Sequence, residues 1–380
     1  MIELRGITWN HTRGYVPMVA TAQRYAELDP GVEVRWEKRS LQQFADFPVE
    51  RLAESYDLLV IDHPSIGTAS RKGILAPLDD LLPGSFLDEQ AAHSVGRSHA
   101  SYSYAGRHWA LAIDAATPVS GWRPDLLDKA GATPPATWSE LLDLGRRGLV
   151  AVPGIAIDTL MNFYMLCGAL GEDPFQREAE VVSEEIGVQA LDMLRDLLAV
   201  APPDAIGWNP IAVWNTLSSG DRLAYCPFAY GYSNYGRRGY ARHALRFGGL
   251  VKLDNGRPLR STLGGAGLAI SARCTHRQAA ADYCRYVAGP DCQRSLYFDA
   301  GGQPGHRAAW LDDEVNRRSG GFFLDTLPTL DAAYLRPRYP GYLDFQDHAG
   351  KVVHNCVGGG GDPRATLRRL NELLPAAQEL

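Results

Sequence analysis

The stretch Asp57–Gly67, Asp-Leu-Leu-Val-Ile-Asp-His-Pro-Ser-Ile-Gly, constrains the fold more than any other part of the chain. Leu58, Leu59, Val60 and Ile61 are four apolar residues in a row, the mark of a short strand covered on both faces. Pro64 ends it, because a proline nitrogen has no hydrogen to give to a sheet ladder. Asp62 and His63 are thereby set at the carboxyl end of a buried strand, the edge of an α/β sheet where small molecules bind. The same aspartate also fits a turn role, its carboxylate bonding nearby amides.

A strand buried on both faces needs helices above and below, and the flanking sequence supplies them. Leu4–Trp9 gives a first strand, and Tyr15, Met18, Val19, Ala22, Tyr25 and Ala26 then follow a helical period. The helix is predicted to start at Tyr15, with Pro17 in its first turn, and to aim its unpaired amides at the strand-end crevice. Trp9, His11 and Arg13 would line the mouth of that crevice. Asp29-Pro30-Gly31 is a turn, and Val32, Val34 and Trp36 alternate with charged residues as a half-buried strand does. Helices over about residues 45–55 and 68–72, the second ending at Gly73, complete a βαβα order that builds a parallel sheet with right-handed crossovers.

Residues 74–108 keep neither period and are expected to form solvated loop. His93, His99 and His108 share no i, i+3 or i+4 spacing and no Cys/His zinc pattern, so no metal site is expected. His108–Ile113 is strand-like, and Asp114-Ala-Ala-Thr-Pro118 is expected to break it and leave Asp114 at a turn. Further on, Thr137 and Glu140 match a capping box. Asp158 is expected to cap an apolar helix carrying Asn162 and Phe163 in its first turns. Helices are expected over residues 183–200, near Trp214, over 275–288 and in two stripes of the tail, Phe345–Cys356 and Leu367–Leu374. Leu223–Phe228 reads as a strand ended by Pro227. Phe228, Tyr230, Tyr232, Asn234, Tyr235 and Tyr240 then crowd into thirteen residues, offering ring faces and hydroxyls that suit a sugar, an aromatic ligand or simple packing under a loop.

Several function classes drop out. At 380 residues the chain exceeds one ordinary core and two domains are expected. The net charge of −6 with scattered basic residues offers no nucleic-acid footprint. No apolar run approaches the roughly 18–20 residues of a membrane span. The first ten residues resemble a strand and not a secretion signal, which points to a cytoplasmic chain as written, or a periplasmic one if a leader has been removed. The six cysteines, Cys167, Cys226, Cys274, Cys284, Cys292 and Cys356, lie too far apart for a disulfide framework and are expected as buried thiols, with a Cys284–Cys292 bridge open but unsupported. Gly231-Tyr-Ser233-Asn-Tyr235 lacks the last glycine of a nucleophile elbow. Gly264-Gly265-Ala266-Gly267, ahead of a strand Leu268–Ser271, lacks dinucleotide spacing, and Gly358–Gly361 has no following Lys-Ser/Thr. No cofactor is expected.

Three stretches taken in order resemble the family 1 extracellular solute-binding proteins, the sugar-binding components of bacterial ABC transporters. They are Asp57–Leu78, with Asp-His-Pro and then Gly-Ile-Leu-Ala-Pro-Leu-Asp; Trp122–Leu142, with Arg-Pro-Asp-Leu-Leu and Pro-Pro-Ala-Thr-Trp-Ser-Glu-Leu-Leu; and Gly264–Pro304, with Gly-Gly-Ala-Gly-Leu-Ala-Ile-Ser and Gly-Gly-Gln-Pro. The resemblance implies an α/β, periplasmic-binding-protein-like (type II) fold of two lobes with a hinge and an interlobe cleft. It would divide the chain as 1–113 plus 262–308 and 114–261 plus 309–380, with crossings near 113–118, 261–265 and 305–312, and the lobes would close on ligand.

Two readings of function follow. One is a binding protein for a small polar, sugar-like molecule, held by Trp9, His11, Arg13, Asp62, His63, Asp114, Asn162, Phe163, Tyr230, Tyr232, Gly265 and Arg338, with an ABC transporter permease as partner if the chain is exported. The other is a lyase, isomerase or hydrolase on the same scaffold, with Asp62, His63 or Asp114 as acid and base. Thiaminase I, which resembles this fold, uses a cysteine nucleophile, and Cys226 at its strand end is the cysteine to test.

Overall fold

The computed structural model describes residues 1–40, 49–177 and 179–378; the first part of the helix expected over 45–55 lies outside them, and its remainder is Val49–Ala53. Two compact units divide the chain. Unit 1 comprises Met1–Ala116, Leu263–Val315 and Arg338–Pro340, and unit 2 comprises Thr117–Thr262, Asn316–Pro337 and Gly341–Leu380.

In unit 1 the strands Val32–Arg39, Ile2–Trp9, Leu58–Ile61, Gly264–Ile270 and Leu111–Ala116 stand side by side in that order. The first three are parallel, whereas Gly264–Ile270 runs against both its neighbours. The sheet is therefore mixed, not purely parallel. Its fourth strand enters at the edge where Ala116 leaves, so it has to run back across the unit.

All four residues of Leu58–Ile61 are buried and they alternate between two cores. Leu58 and Val60 pack with Leu4, Met18, Tyr25, Trp36, Leu268 and Tyr283 on one face; Leu59 and Ile61 pack with Ile7, Ile66, Tyr102 and Trp109 on the other. That is the period-two alternation of a strand whose faces are both covered, and each side chain contributes about 1.5–3 kcal/mol by leaving water. The buried Tyr283 hydroxyl meets Thr21 Oγ1 at 3.0 Å and accepts from Trp36 Nε1 at 3.1 Å, which keeps its polar end satisfied.

Some local expectations shift. The first helix is Thr12–Leu28, three residues earlier than its apolar period begins, because His11 in extended backbone accepts the Arg13 amide at 3.0 Å and caps it. Pro17 consequently lies inside the helix and not in its first turn. Residues 74–108 are not solvated loop: they hold the helix Gly84–Ala92, the turn Ser98–Ser101, and a stack of His99 on His108 with centroids 4.1 Å apart. Asp114 does not end its strand, since Asp114, Ala115 and Ala116 pair with Ala266, Gly265 and Gly264. The same pairing carries unit 1 to Ala116, beyond the boundary expected at 113. The other boundaries also differ from expectation, Thr262 falling in unit 2 and unit 1 running on to Val315.

Unit 2 is built around the antiparallel strands Tyr225–Tyr230, Pro118–Trp122 and Arg246–Gly248, in that order. Pro227 does not end its strand. It sits with Phe228 in a bulge where the register slips opposite Ser120, on an edge strand, the position in which a missing donor costs least. The helices Ala156–Leu170, Glu184–Ala199 and Tyr342–Gly359 pack against one another. Thr137 and Glu140 form the expected capping box of Trp138–Arg146. Asp158 is no cap: the helix starts after Ile155, and Asp158 is drawn into its buried first turn. No helix among the described residues is long and apolar enough to cross a membrane.

Candidate functional site

Strand register gathers the unit 1 candidates on one sheet edge. Ile2–Trp9 and Leu58–Ile61 are parallel, so Trp9 and Asp62 follow their carboxyl ends on the same side. Gly264–Ile270 is antiparallel to Leu58–Ile61 and starts at that edge, and Leu111–Ala116 ends there. Gly265 belongs to this edge and not to a loop ahead of the strand. Its φ is +110°, and a Cβ would meet the Asp114 carbonyl oxygen at 2.3 Å, so only glycine lets the two strands close here.

Arg13 and Asp114 meet at the edge. Arg13 Nε donates to Asp114 Oδ2 at 2.7 Å and Nη2 to Oδ1 at 2.5 Å, with both side chains buried. Burial raises the Asp114 carboxyl above its ordinary range while the Arg13 guanidinium opposes the shift. His11 is driven down to about 4, chiefly by burial and then by the Arg13 charge, and is a neutral cap at pH 7. Trp9 is buried against the first turn of the same helix, where a Cβ on Gly14 would stand 2.3 Å from the indole.

Asp62 and His63 touch each other. Asp62 Oδ1 accepts the His63 amide at 2.8 Å and lies 3.1 Å from His63 Nδ1, in the one-turn cap that Pro64 sets up. The His63 ring is buried edge-on to Tyr102, whose hydroxyl donates to the Ile61 carbonyl at 3.2 Å. Arg338 Nη1 donates to the carbonyls of Ala100 at 2.7 Å and Ser103 at 2.6 Å, a clamp on the turn Ser98–Ser101.

In unit 2, Tyr230 faces Pro118 across the sheet, and its hydroxyl lies 3.3 Å from Thr262 Oγ1. Thr117 Oγ1 donates to Ser261 Oγ at 2.6 Å, and Ser261 Oγ donates to the Pro118 carbonyl at 2.6 Å. Sequence reasoning passed over these three hydroxyls because no local pattern marks them. Tyr232 is buried edge-on to Tyr235, whose hydroxyl donates to Asn215 Oδ1 at 2.7 Å. Asn162 and Phe163 are buried, and the Asn162 amide reaches the Pro153 carbonyl at 3.5 Å.

Asp158 has a different character. It is buried, its Oδ2 has no hydrogen-bond partner, and burial alone pushes its carboxyl up to about 8. At pH 7 it is therefore mostly a neutral acid, with both a donor and acceptors to offer. Nearby Cys226 is fully buried and its thiol is raised by burial, the opposite of the depressed pKa that a nucleophile needs. All six cysteines are free, Cys284 and Cys292 included.

The sequence profile of the bacterial extracellular solute-binding proteins matches residues 8–294. A probable amino-acid ABC transporter periplasmic-binding protein of Sinorhizobium fredii (strain NBRC 101917 / NGR234) is 24% identical over 212 residues, which cover 52% of this chain. The match spans 47% of that relative, about half its length. Among solved structures, the maltose-bound MalE3 of T. maritima superposes with a TM-score of 0.84 at 18% identity, covering 99% of this chain and 100% of the other. An ABC transporter solute-binding protein of Agrobacterium radiobacter K84 in complex with ribitol gives 0.82 at 20% identity, covering 100% and 98%. One from Thermotoga lettingae TMO, bound with α-D-tagatose, gives 0.82 at 19%, covering 98% and 100%. At these identities the superpositions establish the fold.

Proposed function

This chain belongs to the bacterial extracellular solute-binding protein family, and on that premise we propose that it binds a sugar or polyol and delivers it to an ABC transporter. The observation that carries the choice of ligand is Asp158. A carboxyl buried without a partner costs about 1–3 kcal/mol or more, and a ligand hydroxyl that both donates and accepts removes that cost. The tyrosines Tyr230 and Tyr232 add ring faces of the kind that pack on sugar rings. Maltose, ribitol and α-D-tagatose occupy the three structurally similar proteins, and all are polyhydroxylated.

An amino acid, suggested by the Sinorhizobium relative, fits less well. Its α-carboxylate calls for a guanidinium, and the two arginines among the candidates are engaged, Arg13 with Asp114 and Arg338 with backbone carbonyls.

The test is calorimetric titration of the purified chain with maltose, ribitol, mannitol, tagatose and a set of amino acids, with mass spectrometry of each mixture. At least one carbohydrate binds, and Asp158→Ala weakens it by about 10- to 100-fold, the loss of a hydrogen bond to a buried acid. Binding confined to amino acids, affinity unchanged in Asp158→Ala, or product formation abolished by Asp62→Asn would each overturn the reading.

A further inference from the structure

Glu89, His93 and His306 come together in unit 1, at a place none of the ligand candidates occupies. Glu89 lies on the helix Gly84–Ala92, and His93 follows that helix four residues on, so the two side chains share one face. His306 comes from the unit's second chain segment, Leu263–Val315, and is almost wholly buried. Backbone bonds fix the two segments together: the Arg307 amide donates to the His93 carbonyl at 2.8 Å, and Ser94 bridges to His306. The two imidazoles stack with centroids 5.1 Å apart and planes 15° from parallel. Glu89 Oε1 lies 3.0 Å from His306 Nε2 and 3.1 Å from His93 Nδ1, while Glu89 Oε2 accepts from Gln90 Nε2 at 2.9 Å.

We propose that Glu89, His93 and His306 form a binding site for a divalent transition-metal ion of the zinc class. One donor atom from each residue lies within 4.8 Å of the other two. In a tetrahedral site with bonds of about 2.1 Å the donor atoms stand about 3.4 Å apart. Glu89 Oε1 is already at 3.0 and 3.1 Å from the two ring nitrogens, and rotation of the exposed His93 side chain adjusts the remaining nitrogen–nitrogen separation. Two imidazoles and one carboxylate are a donor set that zinc uses with a fourth position left to water, and the exposed His93 leaves room for that water. Gln90 holds the second carboxylate oxygen and orients the first, as outer partners of metal ligands do.

The protons have to be rearranged. His306 Nδ1 now accepts the Ala308 amide at 3.2 Å, which places the ring proton on Nε2, where it points at Glu89. Metal binding at Nε2 moves that proton to Nδ1 and breaks the Ala308 bond. One cap bond is given up for three metal–ligand bonds, an exchange that favours the metal. Occupation would also pin the segment before His306, where Pro304 bridges to Asp114 and the Gly305 amide donates to the Ile113 carbonyl at 3.0 Å.

The full chain, freed of metal with a chelator, is titrated with zinc by calorimetry and with cobalt by visible absorption. One equivalent is expected to bind, with the intense ligand-field bands of a low-coordinate cobalt site, and to raise the melting temperature. His93→Ala, an exposed position that leaves folding intact, and Glu89→Gln should each weaken uptake by more than ~100-fold, since loss of a mere outer partner already costs 10- to 100-fold. His348→Ala, on an exposed face of unit 2, should change nothing. No uptake at micromolar zinc, or uptake equally tight in His93→Ala and Glu89→Gln, would overturn the assignment and leave the three residues as a hydrogen-bonded cluster.

Discussion

Arg13 and Asp114, 101 positions apart, share two hydrogen bonds with neither side chain open to solvent. The pair joins the first turn of the first helix to the last part of an interior strand, so it fixes the helix start against the sheet edge. Removing one partner leaves the other charge buried and uncompensated, which costs more than the pair contributes. Asp114→Leu or Arg13→Met is expected to lower stability by about 3–5 kcal/mol in urea unfolding, and the double change Arg13→Met with Asp114→Leu by less than the sum. A strictly additive double mutant would show that the pair is not coupled.

His11 makes the first helix sensitive to acid. Its folded-state pKa is lowered to about 4 from an ordinary value near 6.5, so the unfolded chain takes up the proton first and stability falls as pH drops through that window. Asparagine caps helices as well as any residue and does not titrate. His11→Asn should match the parent at pH 7 and lose up to about 3 kcal/mol less on going to pH 4, as read from unfolding curves at several pH values. His108, held down to about 3 by burial and by its neighbour His99, adds a second such slope that this substitution leaves in place.

Asp158 produces the opposite dependence in unit 2. Its folded-state pKa is raised to about 8, so between about pH 4 and pH 8 the unfolded chain holds fewer protons and stability falls as pH rises. The slope from one such group is at most about 1.4 kcal/mol per pH unit. Asp158→Asn should remove that slope and melt higher than the parent at pH 8, measured without added solute. A melting temperature lower at pH 8 than the parent's would mean that the carboxylate has a charged partner.

What could be read in the sequence was local. Leu58–Ile61 declares its burial by four apolar residues in succession, and Thr137 with Glu140 declares a capping box, because both effects act within one turn or one short strand. What escaped depends on distant partners. Asp114 looked like a turn residue, since its strand neighbour Ala266 and its counter-charge Arg13 are remote in sequence. Pro227 looked like a strand end because the bulge that accommodates it is made by pairing with Val119 and Gly121. Asp158 looked like a cap because aspartate near a helix start usually is one. Glu89 and His93 do stand four apart, a signal that a search restricted to histidine and cysteine misses, and His306 lies 217 positions beyond Glu89.

The order of strands in unit 1 has a bearing on how the chain is made. Gly264–Ile270 joins Leu58–Ile61 to Leu111–Ala116, so the sheet stays in two pieces until residue 270 has been synthesised. At ~5–20 residues per second, translating residues 117–270 takes roughly 8–30 s, during which Leu58–Ile61 has an unpaired edge. Throughout that interval Val60 and its neighbours are a hydrophobic, hydrogen-bond-hungry segment of the nascent chain, the kind of surface that chaperones bind and that aggregates when they do not.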